Sequence, residues 1–196
     1  MPPMSNELPI ERLWPRQAGV AEGLRQLVLV FVGSLLLWAS AKVQVPFWPV
    51  PMTLQTGMLY LIGVAYGPRL GLLTALAYLA EGAAGLPVFA GTPERGIGLA
   101  YMMGPTGGYL LSFPILTWMA GIAAQRGLRW PGMAATLAVA TVVNYTLGVS
   151  WLATFLGFAK AVEVGLLPFL LGDLLKAALV VALWELGLGR SRPAGG

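Results

Sequence analysis

Between residues 24 and 188 the chain is a succession of apolar runs of bilayer length, interrupted by glycine and proline more than by charge. A helix that crosses a bilayer needs about 20 mostly apolar residues. Six stretches fit or approach that requirement, at about 24–42, 52–67, 70–87, 105–125, 131–157 and 165–188, the second of them short and glycine-interrupted. Charged residues make up 10% of the chain and hydrophobic ones 57%, whereas a soluble domain carries roughly 25% charged residues. With a mean hydropathy of +0.75, the sequence predicts an all-α integral membrane protein, a bundle of six transmembrane helices. Its glycine- and proline-rich second to fourth spans imply close helix contacts, since small residues let backbones approach.

The topology follows from lysine and arginine. With six spans, Arg12, Arg16, Arg25, Arg69, Arg126, Arg129, Arg190 and Arg192 share one side, and Lys42, Arg95 and Lys160 the other, eight against three. The positive-inside rule places both termini in the cytoplasm. The expected organisation is a cytoplasmic N-terminal segment over 1–23, without the pattern of a cleaved signal peptide, a membrane domain over 24–188 and a cytoplasmic tail over 189–196. The net charge of +4 is scattered singly rather than gathered into a patch, so no nucleic-acid partner is expected. Without cysteine or histidine, disulfides, the usual zinc sites and Ser-His or Cys-His catalytic units are excluded. Neither a catalytic residue nor a resident cofactor or metal is expected.

The segment VPFWPVPMTLQT, residues 45–56, holds Pro46, Pro49 and Pro51. Proline fixes φ and removes a backbone donor, which predicts a stiff outward strap, with Trp48 on it and Thr53, Gln55 and Thr56 beneath. The outward 3–4 connection is LPVFAGTPERGIG and the 5–6 connection is FAKAVEVG. Away from the loops, the spans contain four ionisable groups, Glu81, Asp173, Lys176 and Glu185. Charges in lipid are costly and need a partner or a cavity. Glu185 lies near the cytoplasmic end and reads as a snorkelling interface residue. Asp173 and Lys176, spaced i, i+3, share one helix face, either as a structural ion pair or as the floor of a polar pocket. Glu81 lies about 18 Å from the inner surface, at a comparable depth, and is expected to converge with them. Asn144 and Tyr145 add polar groups in the fifth span. Together these features predict a small-molecule pocket open to the outside. In GPTGGYLLSF, residues 104–113, Gly107 and Gly108 allow close backbone approach and leave room for Tyr109 to face a cavity.

VPFWPVPMTLQT, GLPVFAG, GPTGGYLLSF and LGDLLKAAL, in this order and at these separations, resemble the BioY family, the biotin-binding S-components of energy-coupling factor (ECF) transporters. The resemblance spans nearly all of residues 24–188. It implies the six-helix S-component fold, a biotin pocket on the outward side, a lid over residues 45–52, and a plasma (inner) membrane location. It further implies an energising module of two ATPases and a transmembrane coupling subunit, because this chain has no GxxxxGK[ST] nucleotide loop. Biotin is then a transported substrate rather than a cofactor. The resemblance assigns Lys176 and Asp173 to the polar end of the pocket, Tyr109, Trp48 and Phe89 to its apolar rings, Gln55 to the lid side, and Arg95 to a second carboxylate clamp, with Glu81 and Asn144 as further candidates. Which cation meets which end of biotin is left open by spacing. The chain departs from S-components in lacking a clean Ala-x-x-x-Ala surface on the first span, where Gly33, Ser34, Ala39, Ser40 and Ala41 stand instead. Other readings are a different vitamin or a stand-alone secondary transporter, although no internal repeat with paired broken helices is visible.

Overall fold

In the computed structural model, residues 8–45 and 48–188 are described. Pro46 and Phe47 of the strap, the first seven residues and the tail with Arg190 and Arg192 lie outside the described residues. The chain is built almost wholly of helices: α1 (Pro9–Leu13), α2 (Val20–Lys42), α3 (Gln55–Ala83), α4 (Gly98–Met102), α5 (Gly107–Gln125), α6 (Trp130–Leu156), α7 (Phe158–Gly165) and α8 (Leu170–Leu183), the last continuing into a π-turn at Trp184–Leu188. Two short strands, β1 (Gln44–Val45) and β2 (Met52–Thr53), pair antiparallel and close the strap into a hairpin. By length and composition α2, α3, α5 and α6 can each cross a membrane, and α7 with α8 forms a bent pair, at 50°, that would make a fifth span.

The break in α3 organises the bundle. Gly67 adopts φ 80 and ψ 177 and is followed by Pro68, a conformation open to glycine and costly to any side chain. Gln55 Nε2 donates to Tyr78 Oη at 2.8 Å, whereas an unbroken helix would hold these residues about 34 Å apart. The two halves of α3 therefore fold back on each other as antiparallel helices. Glycine makes the contact possible: a Cβ on Gly71 would lie 3.3 Å from Gly63 Cα, and one on Gly121 of α5 would lie 2.5 Å from Pro68 N. The side chain of Leu8 covers Gly67 from the N-terminal segment.

The outer faces carry leucine rather than charge. On α8 and the π-turn that continues it, Asp173, Ala177, Val180 and Trp184 form the inward stripe, while Leu171, Leu174, Leu175 and Leu179 are exposed. That inversion suits a lipid surround. Two boundaries differ from the sequence expectation. FAKAVEVG is helix α7 instead of a connection: Gly157, at φ 78 and ψ 156, stops α6, and the next turns bury Ala161 and Gly165 and pair Lys160 with Glu163 at 2.9 Å. The last helix resumes at Leu170, so Asp173 lies in its first turn, nearer the helix start than a start at Gly165 implied.

Replacing Gly67 with alanine should lower stability by about 1–3 kcal/mol, because the side chain must hold a left-handed φ and also displace Leu8. Gly23→Ala, where a Cβ meets nothing within 4 Å, should stay within about 0.5 kcal/mol of the parent. Thermal unfolding of the two variants in the same detergent measures the difference.

Candidate functional site

At the end of the bundle away from Gly67, the strap, the first half of α3, α5, α6 and α8 line a concave cleft. One wall is polar. Asp173 is buried, and its carboxylate accepts from Lys176 Nζ at 2.8 Å, from Thr56 Oγ1 at 2.8 Å and from Tyr145 Oη at 2.6 Å. Three charge-assisted bonds from α8, α3 and α6 offset the loss of hydration, and they occupy most of the carboxylate's roughly four acceptor sites. Lys176 Nζ donates also to Thr56 Oγ1 at 3.1 Å, so one of its three protons is left for the cleft. Its aliphatic stem lies over Gly57, where a Cβ would come within 3.3 Å.

The remaining walls are largely apolar: Val50, Pro51 and Met52 from the strap, Ala90, Tyr101, Leu110, Phe113 and Phe169, with the ring of Tyr109. Tyr109 is fixed at both ends. Its hydroxyl donates to the Gly165 carbonyl at 2.6 Å, and its ring packs against Gly148, where a Cβ would overlap it. Gln55 donates to Tyr78, whose hydroxyl donates on to the Val88 carbonyl at 2.7 Å, leaving a second amide proton and carbonyl capacity at the cleft. Asn144 Oδ1 lies 2.7 Å from Ser112 Oγ.

Of the residues singled out in the sequence, Gln55, Tyr109, Asn144, Asp173 and Lys176 line this cleft together. The other four lie elsewhere. Glu81 faces α2, accepting from Ser34 Oγ at 2.8 Å, so it does not converge with Asp173 and Lys176: equal depth fixes height along a helix, not the face. Phe89 is 1% exposed, packed edge-on to Tyr78 at 5.5 Å and stacked on Tyr101 at 5.1 Å, in a gap that Gly82 leaves for its ring. Trp48 is 75% exposed on the strap. Arg95 donates to the Pro49 carbonyl at 3.0 Å, joining the 86–97 loop to the strap. Lys42 anchors the same loop, donating to the carbonyls of Phe89 at 3.2 Å and Thr92 at 2.9 Å. Thr56 and Tyr145, which the sequence marks as polar groups but to which it assigns no binding role, also line the cleft and donate to Asp173. The signal was available: a carboxylate within an apolar span must find hydrogen-bond donors, and these hydroxyls were within the spans to supply them.

The BioY family model matches residues 10–191. The chain is 42% identical over 159 residues to the probable biotin transporter BioY of Pyrococcus horikoshii, an alignment covering 81% of this chain and 92% of that protein. It is 35% identical over 160 residues to the biotin transporter BioY of Thermotoga maritima, again covering 81% and 92%. Among solved structures, the S-component for biotin from an ECF-type ABC transporter superposes with a TM-score of 0.73 at 23% identity, covering 92% of this chain and 97% of that one. That structural likeness establishes a shared fold.

The ion pair should behave asymmetrically on mutation. Asp173→Ala leaves Lys176 without its carboxylate and should cost about 3–5 kcal/mol of stability. The double change Asp173→Leu with Lys176→Met removes both charges and should recover most of that loss. Detergent melts of the single and double variants check this; a double variant no more stable than Asp173→Ala would contradict it.

Proposed function

Because the chain belongs to the BioY family, we propose that it captures biotin from outside the cell in the cleft at Lys176 and passes it inward as the substrate-binding subunit of an ECF transporter. The observation that carries this reading is the cleft's chemistry: one partly buried cationic donor and several uncharged hydrogen-bonding groups on one side, aromatic and aliphatic surface on the other. Biotin presents the complement. Its carboxylate and ureido oxygen accept hydrogen bonds, its ureido N–H groups donate them, and its thiophane body and valeryl chain are apolar. Lys176 supplies a charge-assisted donor to a ligand oxygen. Asp173, engaged by three partners, holds Lys176 in position. Gln55 and Asn144 complete the polar contacts, and Tyr109 with Phe113 and Phe169 packs against the rings.

In this reading the protein crosses the plasma (inner) membrane six times, counting α2, each half of α3, α5, α6 and the bent α7–α8 pair, with both termini in the cytoplasm. Energy comes from separate polypeptides, two ATPases and a membrane coupling subunit. The chain performs no covalent chemistry, and the relatives' names, all transporters, support that.

Calorimetric titration of the purified protein with biotin, desthiobiotin, thiamine and riboflavin tests the substrate. Biotin should bind tightest, and preference for another vitamin would overturn the assignment. Lys176→Ala should weaken biotin binding by about 2–5 kcal/mol, while near-unchanged affinity would remove Lys176 from the site.

The strap is the lid. Val50, Pro51 and Met52 cover the cleft, and proline at 49 and 51 limits the conformations lost on closing. Replacing Pro49 and Pro51 with glycine should therefore raise the dissociation rate of biotin more than it changes the association rate. Stopped-flow kinetics read both, and a parental dissociation rate in a folded variant would reduce the strap to a connector.

A further inference from the structure

At the opposite end of the bundle, the N-terminal segment, the start of α2 and the turn of α3 line a second, open cavity of about 290 Å³. Its wall carries Arg16, Arg25 and Arg69 with Glu11 and Glu22. Arg16 pairs with Glu11 at 2.6 Å and Arg25 Nη1 with Glu22 at 3.0 Å. Glu22 is already heavily engaged, accepting as well from the Gln17 backbone N–H and from Gln26 Nε2. Arg69 makes no ion pair among the described residues. Arg25 is 3% exposed. Its Nε donates to the Trp14 carbonyl at 2.9 Å, yet its Nη2 is buried with no hydrogen-bond partner among the described residues.

Buried polar groups are nearly always satisfied, and an orphaned guanidinium nitrogen costs more than a neutral one. The Arg25 guanidinium, on the wall of this cavity, is therefore short of an acceptor, and the shortage is of negative charge. Guanidinium groups match phosphate oxygens in a planar fork. With the termini in the cytoplasm, as proposed above, this cavity sits at the inner membrane surface, where anionic headgroups gather and basic pockets between spans bind them. Half-exposed Leu73 and the apolar side chains of Ile10 and Leu70 border it, a surface suited to the glycerol and upper acyl region of a lipid.

We propose that this cavity is a phosphate site filled by the headgroup of an anionic phospholipid from the inner leaflet, with Arg25 and Arg69 as its donors. The test is native mass spectrometry of the full-length protein equilibrated with equal amounts of phosphatidylglycerol and phosphatidylcholine. The parent protein should retain phosphatidylglycerol selectively, and Arg69→Gln or Arg25→Gln should each reduce that selectivity roughly fivefold. Both variants should keep the parental biotin affinity, which certifies the fold at the other end of the bundle. If Arg25→Gln fails to fold, the exposed Arg69 still decides the matter. Equal retention of the two lipids by the parent, or unchanged selectivity in Arg69→Gln, would overturn the proposal. Displacement of phosphatidylglycerol by millimolar inorganic phosphate would also overturn the lipid assignment, in favour of a soluble phosphate.

Discussion

A carboxylate in a bilayer must be compensated or it will not stay charged, and Asp173 is compensated by donors from three separate elements: Lys176 on its own helix, Thr56 on α3 and Tyr145 on α6. The position of α8 against the rest of the bundle follows from that requirement. Few other inward groups on α8 are polar, and its outer face is leucine facing lipid. The same arrangement leaves Lys176 with one unspent proton at the polar wall of a cleft whose other walls are largely apolar. A cation held in this way is already desolvated and oriented, so a ligand oxygen gains a charge-assisted bond without bearing most of the ordering cost. On balance such a buried pair adds little net stability, which makes a binding role the better physical account of its presence.

Glycine does the complementary work. The fold-back at Gly67 brings Gln55 and Tyr78 side by side and so delivers the start of α3 to the cleft. Tyr109 occupies space that Gly148 and Gly165 leave empty, and the stem of Lys176 runs over Gly57. Each of these positions trades a side chain for close approach. The cleft is thus shaped as much by missing Cβ atoms as by the groups that line it.

Much of this was legible in the sequence because the bilayer penalises deviation so heavily. Apolar runs marked the helices, and a pair of opposite charges at i, i+3 in such a run marked the cleft's polar wall. Gly67–Pro68 fell where one apolar run ended and the next began, which is where α3 turns back. What was illegible was azimuth. Depth alone put Glu81 level with Asp173, but the Glu81 side chain turns to Ser34 of α2, while Tyr78, one turn earlier, reaches Gln55. Phe89 was read from its motif as a wall of the pocket; the gap at Gly82, seven residues of chain away and unremarkable in sequence, draws it into the core. FAKAVEVG read as a connection because it is short and carries two charges, yet those charges pair along one helical turn.

The central claim is that biotin occupies the cleft between the strap and the Asp173–Lys176 pair. The most direct measurement is a crystal structure of the protein grown with saturating biotin. The account predicts ligand density bounded by Val50 to Thr53 above and α5, α6 and α8 around it, with a biotin oxygen within hydrogen-bond distance of Lys176 Nζ. Biotin resolved at any other place on the protein, with this cleft filled by solvent alone, would contradict it.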